Sequence, residues 1–96
     1  MILDFGDEAT SDVFHGENTK AARRIPAIAW AVARRKLDLL NAAHELRDLL
    51  APPGNRLEAL KGRLAGFHSI RINDQFRLIF VWADGNAKAA RITDYH

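Results

Sequence analysis

Residues 67–82, FHSIRINDQFRLIFVW, contain two alternating segments on either side of a turn, and this stretch decides the fold. In the first segment Ile70 and Ile72 lie on one side of an extended chain, with polar residues on the other side. The Asn-Asp pair at 73–74 favours a tight hairpin turn. The second segment places large apolar side chains on one face and a charge, that of Arg77, on the other. The stretch therefore predicts an antiparallel hairpin with one charge in an apolar strand.

The neighbouring segments extend this prediction to a sheet and a helix. RLEALK at 56–61 alternates as a strand does, and Asp-Gly at 84–85 predicts a second hairpin before a last strand, AARITDYH, at 89–96. Upstream, residues 25–43 carry the apolar stripe of an amphipathic helix, and Pro26 suits its first turn. The hairpin thus becomes part of a meander that follows a helix.

The remaining segments complete an α+β domain. MILDF at 1–5 predicts a short first strand, and the glycine and polar residues at 16–20 predict a loop or an interrupted helix start. HELRDLL at 44–50 predicts further helical turns, which end at APPGN, 51–55, because Pro-Pro-Gly cannot continue a helix. We therefore expect one domain over the whole chain, with an N-terminal strand and helices packed on one face of a mostly antiparallel sheet of about four to five strands.

Composition and length exclude several classes of protein. The chain has 96 residues, a formal net charge of +2 and no cysteine, which excludes disulfides and thiolate chemistry. We find no apolar run of membrane-spanning length and no signal peptide, so we expect a cytoplasmic protein that has no membrane association. The sequence has neither a glycine-rich phosphate loop nor a metal-binding histidine motif, and we expect no cofactor and no metal.

Arg77 is the centre of the candidate site, because a cation in an apolar strand needs a partner or a ligand. If the predicted strands are neighbours, one sheet face gathers further polar side chains, namely Glu58, Lys61, Asp94, Tyr95 and His96. A carboxylate, fixed cations and an imidazole suit metal-free cleavage of RNA, in which the 2′-OH attacks the adjacent phosphate. In the alternative, Arg77 forms an internal salt bridge with Asp94 or Glu58, and the pattern leaves both interpretations open.

Basic residues are clustered just before Pro26 and again within the predicted helix. Such a cluster is either a solvated helix face or a surface for a polyanionic partner. The candidates for contact with nucleic-acid phosphates are Arg23, Arg24, Arg34, Arg35 and Lys36, together with Lys61 and Arg77.

Several segments resemble one family of bacterial toxins. NRLEALKG at 55–62, SIRINDQFRLIF at 69–80 and the terminal DYH at 94–96 are similar, in order and spacing, to the HigB branch of the RelE/ParE superfamily. ARRIP at 22–26 and KLDLLNAA at 36–43 fit the same pattern. The resemblance therefore covers nearly the whole chain.

The resemblance implies a RelE-like fold of the microbial ribonuclease type, and a toxin that is paired with a HigA-type helix-turn-helix antitoxin. It also implies an endoribonuclease that cuts mRNA in the ribosomal A site without a metal. By position, Asp94, Tyr95 and His96 match the catalytic ending of the family, Lys61 matches the lysine of its LKG segment, and Arg77 matches the arginine of its penultimate strand.

Two positions depart from the family pattern. Glu58 stands where some members have a catalytic histidine, so it would be the base and His96 the acid, and Arg63-Leu64 replaces the usual Asp-Arg after LKG. With the family in view, the basic cluster is expected to contact ribosomal RNA or the antitoxin. The alternatives are a ParE-like toxin that binds DNA gyrase and an inactive relative that only binds.

Overall fold

The protein folds into an antiparallel sheet with helices on one face, as a computed structural model that describes residues 1–94 shows. The strands follow one another in chain order: β1 (Glu58–Ala59), β2 (Phe67–Arg71), β3 (Phe76–Ala83) and β4 (Asn86–Asp94). The two α-helices are α1 (Glu8–Phe14) and α2 (Trp30–Ala42). This arrangement confirms the predicted α+β class.

The two hairpins set the register of the sheet. At 84–85 both residues have positive φ, 53° and 77°, as a type I′ turn requires. The β2–β3 loop has one residue more than the predicted Asn-Asp pair, and the Asn73 side chain accepts hydrogen bonds from the backbone N–H groups of Gln75 and Phe76. This length places Arg71 opposite Arg77, whereas a two-residue loop would shift the pairing and the buried face by one residue.

The N-terminal segment runs beside β4 without forming a continuous strand. Ile2 and Phe5 make isolated parallel bridges to β4. Between them Ala89 has a φ of 52°, and its N–H donates to the Asp4 side chain. The predicted first strand is therefore correct in position but is interrupted by this irregularity.

Helix α1 was not predicted. The Asp7 side chain caps it by accepting a hydrogen bond from the Thr10 N–H at 2.8 Å, and Ala9, Thr10 and Val13 form its buried face. The Thr10 hydroxyl then accepts from the backbone N–H of Ile92 at 2.8 Å, which attaches α1 to β4.

Helix α2 is shorter than the predicted 25–43. Pro26 is extended, and a 3₁₀ turn over Ala27–Ala29 leads into the helix. The predicted continuation is a separate 3₁₀ helix, Leu46–Leu50, because Glu45 and Asp48 cap its start reciprocally. Among residues 1–94, no helix is both long and apolar enough to cross a membrane.

The hydrophobic core lies between the helices and one face of the sheet. Leu37 and Leu40 of α2 pack in a fully buried cluster with Ile70, Leu78 and Phe80 of the sheet. Strand alternation turns the neighbouring side chains of β2 and β3 to the opposite face. That second face is where the candidate site lies.

Candidate functional site

Arg77 projects from the sheet face opposite the helices, between two strand neighbours whose side chains enter the core. It is only 8% exposed. In the strand register its partners are Arg71 on β2 and Thr93 on β4. The guanidinium therefore places a positive charge in a region with little water.

Among residues 1–94, the Arg77 guanidinium contacts groups of Ser69, Arg56 and Glu58. Its Nη1 donates to the Ser69 hydroxyl at 3.2 Å and to the Arg56 carbonyl at 3.4 Å. Its Nη2 lies 3.6 Å from Glu58 Oε1, a separation that makes an ion pair but is too long for a hydrogen bond. The predicted internal salt bridge with Glu58 is therefore present.

The Glu58 carboxylate nevertheless remains accessible. Glu58 is the first residue of β1, at the sheet edge, and its side chain is 47% exposed. Since it is not hydrogen-bonded to the guanidinium, its oxygens keep the capacity to accept a proton from a hydroxyl group of a ligand. The site thus combines a fixed buried cation with an open carboxylate.

Lys61 lies at the same sheet edge, beyond β1. The pairing with β2 extends one residue past β1, because the Leu60 N–H donates to the Phe67 carbonyl at 2.8 Å. Lys61 then enters an exposed loop that begins with a 3₁₀ turn over Gly62–Leu64. The loop leaves the ammonium on the surface, three positions along the chain from Glu58.

Of the predicted terminal residues Asp94, Tyr95 and His96, the structure describes only Asp94. This residue pairs with Phe76 and so shares the sheet face of Phe76 instead of that of Arg77. Its carboxylate accepts a hydrogen bond from Gln75 Nε2 at 3.1 Å, which joins the end of β4 to the β2–β3 loop. Tyr95 and His96 lie outside the described residues, and their catalytic roles stay predictions.

The four exposed arginines predicted to contact phosphates belong to the helical layer, on the other side of the sheet from Arg77. Arg23 donates through Nη1 to Asn18 Oδ1 at 3.0 Å, and the Arg34 guanidinium lies against the backbone of Gly16. Arg24 and Arg35 are also exposed. Four of the five helical candidates for phosphate contact therefore present their charges to solvent.

Lys36 differs from these arginines because it is buried. Its ammonium donates to the side-chain oxygen of Asn55, and it is 8% exposed. Burial lowers its pKa, and the nearby charges of Arg35 and Arg71 lower it further. Lys36 is therefore separate from the exposed basic surface, and we do not include it in the surface proposed to contact RNA.

The buried ammonium of Lys36 predicts a specific pH dependence of stability. Because the folded-state pKa is below the ordinary lysine value of about 10.4, the unfolded chain binds more protons between the two values. The free energy of unfolding of the wild type, relative to Lys36→Met, is expected to rise with pH through this window. Urea unfolding at a series of alkaline pH values measures it, with the exposed Lys88→Met as control. A constant or falling difference would contradict the lowered pKa.

Three residues that contact or support the site were not assigned to it from sequence. Arg71 was predictable, because strand alternation places it on the polar side and the hairpin brings it close to Arg77. Ser69 has the same alternation signal but no charge to mark it. Asn55 looked like an ordinary turn residue, and no local pattern indicates that it is fully buried.

Comparison with known proteins agrees with this fold. The model of the HigB-like toxin family, described as "RelE-like toxin of type II toxin-antitoxin system HigB", matches residues 3–96. The chain is 46% identical over 87 residues to Toxin HigB-1 of Vibrio cholerae serotype O1, which covers 91% of this chain and 90% of the relative. The chain therefore belongs to the HigB-like family of RelE-like toxins, as the sequence motifs predicted.

Two solved structures show the same fold at low sequence identity. The YoeB–YefM complex from Staphylococcus aureus matches with a TM-score of 0.60 and 20% identity, covering 100% of this chain and 95% of that one. The YoeB dimer from the same organism matches with a TM-score of 0.56 and 24% identity, covering 99% and 94%. These neighbours confirm the predicted RelE-like fold.

Proposed function

We propose that this toxin is a metal-independent endoribonuclease that cleaves mRNA in the ribosomal A site, in the cytoplasm. One observation carries the proposal: the buried Arg77 guanidinium faces a half-exposed Glu58 carboxylate at 3.6 Å. Membership in a family of RelE-like toxins supports it. A fixed cation beside an accessible base is the pair that transfer of an RNA phosphate requires.

In the proposed reaction Glu58 takes the proton from the 2′-OH of the RNA. The 2′ oxygen then forms a bond to phosphorus and the bond from phosphorus to the 5′ oxygen breaks, which leaves a 2′,3′-cyclic phosphate. His96 supplies a proton to the leaving 5′ oxygen. Arg77 and Lys61 stabilise the negative charge that accumulates on the phosphate oxygens.

The exposed arginines supply binding that is separate from the chemistry. Arg23, Arg24, Arg34 and Arg35 lie on the helical layer, so they contact ribosomal RNA phosphates while the opposite face holds the cleaved strand. Contacts of this kind weaken steeply as the salt concentration rises. A HigA-type helix-turn-helix antitoxin is the proposed neutralising partner, in line with a family of toxin-antitoxin systems and with the YoeB–YefM complex among the structural neighbours.

The proposal is tested by mapping mRNA 5′ ends after induction of the toxin in cells. The wild type and the exposed control Arg47→Ala are expected to arrest growth and to produce new 5′ ends within translated codons. Glu58→Gln keeps the shape of the side chain but cannot act as a base, and we expect about a 10²- to 10⁴-fold loss of cleavage, as for His96→Ala.

The result that would overturn the proposal is growth arrest by the wild type and His96→Ala alike, with no new 5′ ends. DNA gyrase would then be the target to test, as for a ParE-like toxin. Absence of both arrest and cleavage in the wild type would indicate an inactive binding relative.

A further inference from the structure

We propose that Lys36 and Asn55 act as positioning residues that hold the backbone around Arg56 in place for Arg77. This inference rests on the proposed role of Arg77 and Glu58 in cleavage. Neither positioning residue touches the guanidinium. They act through the short connection that begins at the 3₁₀ turn Pro53–Asn55 and ends at β1.

Asn55 is a fully buried amide whose hydrogen-bonding groups are all occupied. Its side-chain oxygen accepts from the Lys36 ammonium, and its Nδ2 donates to the carbonyls of Leu49 and Ala51, each at 3.2 Å. The amide thereby joins α2 to the segment that precedes β1. A buried polar group with all partners present holds one orientation, since any rotation would leave several groups unpaired.

The residue that follows Asn55 is the one that contacts Arg77. Arg56 has a φ of 47°, a left-handed conformation that a residue with a side chain adopts only where its surroundings impose it. In this conformation its carbonyl accepts from Arg77 Nη1 at 3.4 Å. The contacts of Asn55 on one side of Arg56 and the β1 pairing of Glu58 with Ser69 on the other fix this backbone.

The burial of Lys36 follows from this role. A lysine at the surface of α2 would hydrate its ammonium, whereas this one crosses to a turn that lies 19 residues further along the chain. Burial of an ammonium group costs free energy unless the group is hydrogen-bonded, and Asn55 accepts that hydrogen bond here. This hydrogen bond fixes the Asn55 side chain, and the carbonyl that accepts from Arg77 belongs to the next residue, Arg56. The burial of Lys36 thereby restrains the position of the Arg77 guanidinium.

A double-mutant cycle separates positioning from general stability. The four proteins are the wild type, Lys36→Met, Arg77→Ala and the double variant, assayed for cleavage of ribosome-bound mRNA at a temperature where each is folded. Lys36→Met is expected to lower kcat about tenfold or more with little change in KM in the wild-type background, and less than about twofold in the Arg77→Ala background. Lys88→Met, an exposed lysine of β4, is the matched control and should match the wild type.

Equal losses in the two backgrounds would overturn the inference, because a structural role does not depend on Arg77. Should Lys36→Met fail to fold, Asn55→Asp takes its place in the cycle. It keeps the acceptor for Lys36 and removes the donors to Leu49 and Ala51, so the same selective loss is expected.

An NMR measurement tests the positioning even if the wild type cleaves no RNA. The side-chain N–H signals of Arg77 should shift and broaden in Lys36→Met. The backbone amide signals of Ala87 and Ala90, on strand β4 at the opposite edge of the sheet from β1, should stay unchanged. Arg77 signals identical to those of the wild type would overturn the positioning role. A wild type without cleavage would overturn only the proposed function.

Discussion

Replacement of Arg77 by methionine is expected to lower kcat for RNA cleavage by about 10²- to 10³-fold, the cost of removing one preorganised donor to a developing negative charge. The guanidinium is held by Ser69 and by the Arg56 carbonyl before any substrate binds, so it needs no reorganisation during the reaction. Its burial limits screening by water, which strengthens its effect on the phosphate. Methionine keeps roughly the aliphatic stem and removes the guanidinium with its charge and its donors.

Single-turnover cleavage of an mRNA held in the A site of purified ribosomes, with each purified variant added, measures this loss, and circular dichroism confirms folding. Arg77→Lys restores the charge but not the planar fork, and one ammonium cannot replace the two nitrogens that reach Ser69 and Glu58. It is therefore expected to recover only part of the rate. Arg47→Met removes an exposed arginine of the 3₁₀ helix Leu46–Leu50 and serves as the control. Cleavage by Arg77→Met within about threefold of the wild type would show that Arg77 only supports the fold.

Replacement of Phe80 by alanine is expected to lower the free energy of unfolding by about 3–5 kcal/mol. Phe80 is fully buried and is the largest of the completely enclosed side chains among residues 1–94. Its ring stacks on His68 at a centroid distance of 6.1 Å and meets Trp82 edge-on at 6.5 Å. Truncation would leave a cavity between the sheet and α2 that these neighbours fill only partly.

Urea unfolding monitored by circular dichroism measures the change. Ile28→Ala is the matched control, because Ile28 is 92% exposed and its loss should change the free energy of unfolding by less than about 0.5 kcal/mol. A total stability of about 5–15 kcal/mol is typical of a domain, so the Phe80→Ala variant would keep only part of it. A loss below about 1 kcal/mol would mean that the core closes around the smaller side chain.

Local patterns predicted the parts of the fold whose signals lie within a few residues. The Asp-Gly turn at 84–85 and the alternation of β3 formed as expected, because turn chemistry and strand periodicity act over short distances. Helix α1 was missed since it has only seven residues, and its strongest signal was a single capping aspartate, Asp7. The β2–β3 loop was predicted one residue too short, because only the match of the buried faces across the hairpin decides its length.

The candidate site was predicted in part. The neighbourhood of Glu58 and Arg77 followed from the order of the strands, since sequential antiparallel strands usually pair. The sheet face on which Asp94 lies could not be predicted before the strand register was known. One position along a strand decides the side of the sheet, and the hairpin loops set that position.

By itself the sequence determined the family, the α+β class and the presence of a charged residue on the outer face of β3. Only the tertiary structure decided what Lys36 does. Three consecutive basic residues, 34–36, spread around a helix, and Lys36 lies one turn from the buried Ala33 and Leu40. Its partner is Asn55, a residue brought to it by the chain reversal between α2 and β1. Such a contact depends on how distant segments pack, which no local pattern of residues specifies.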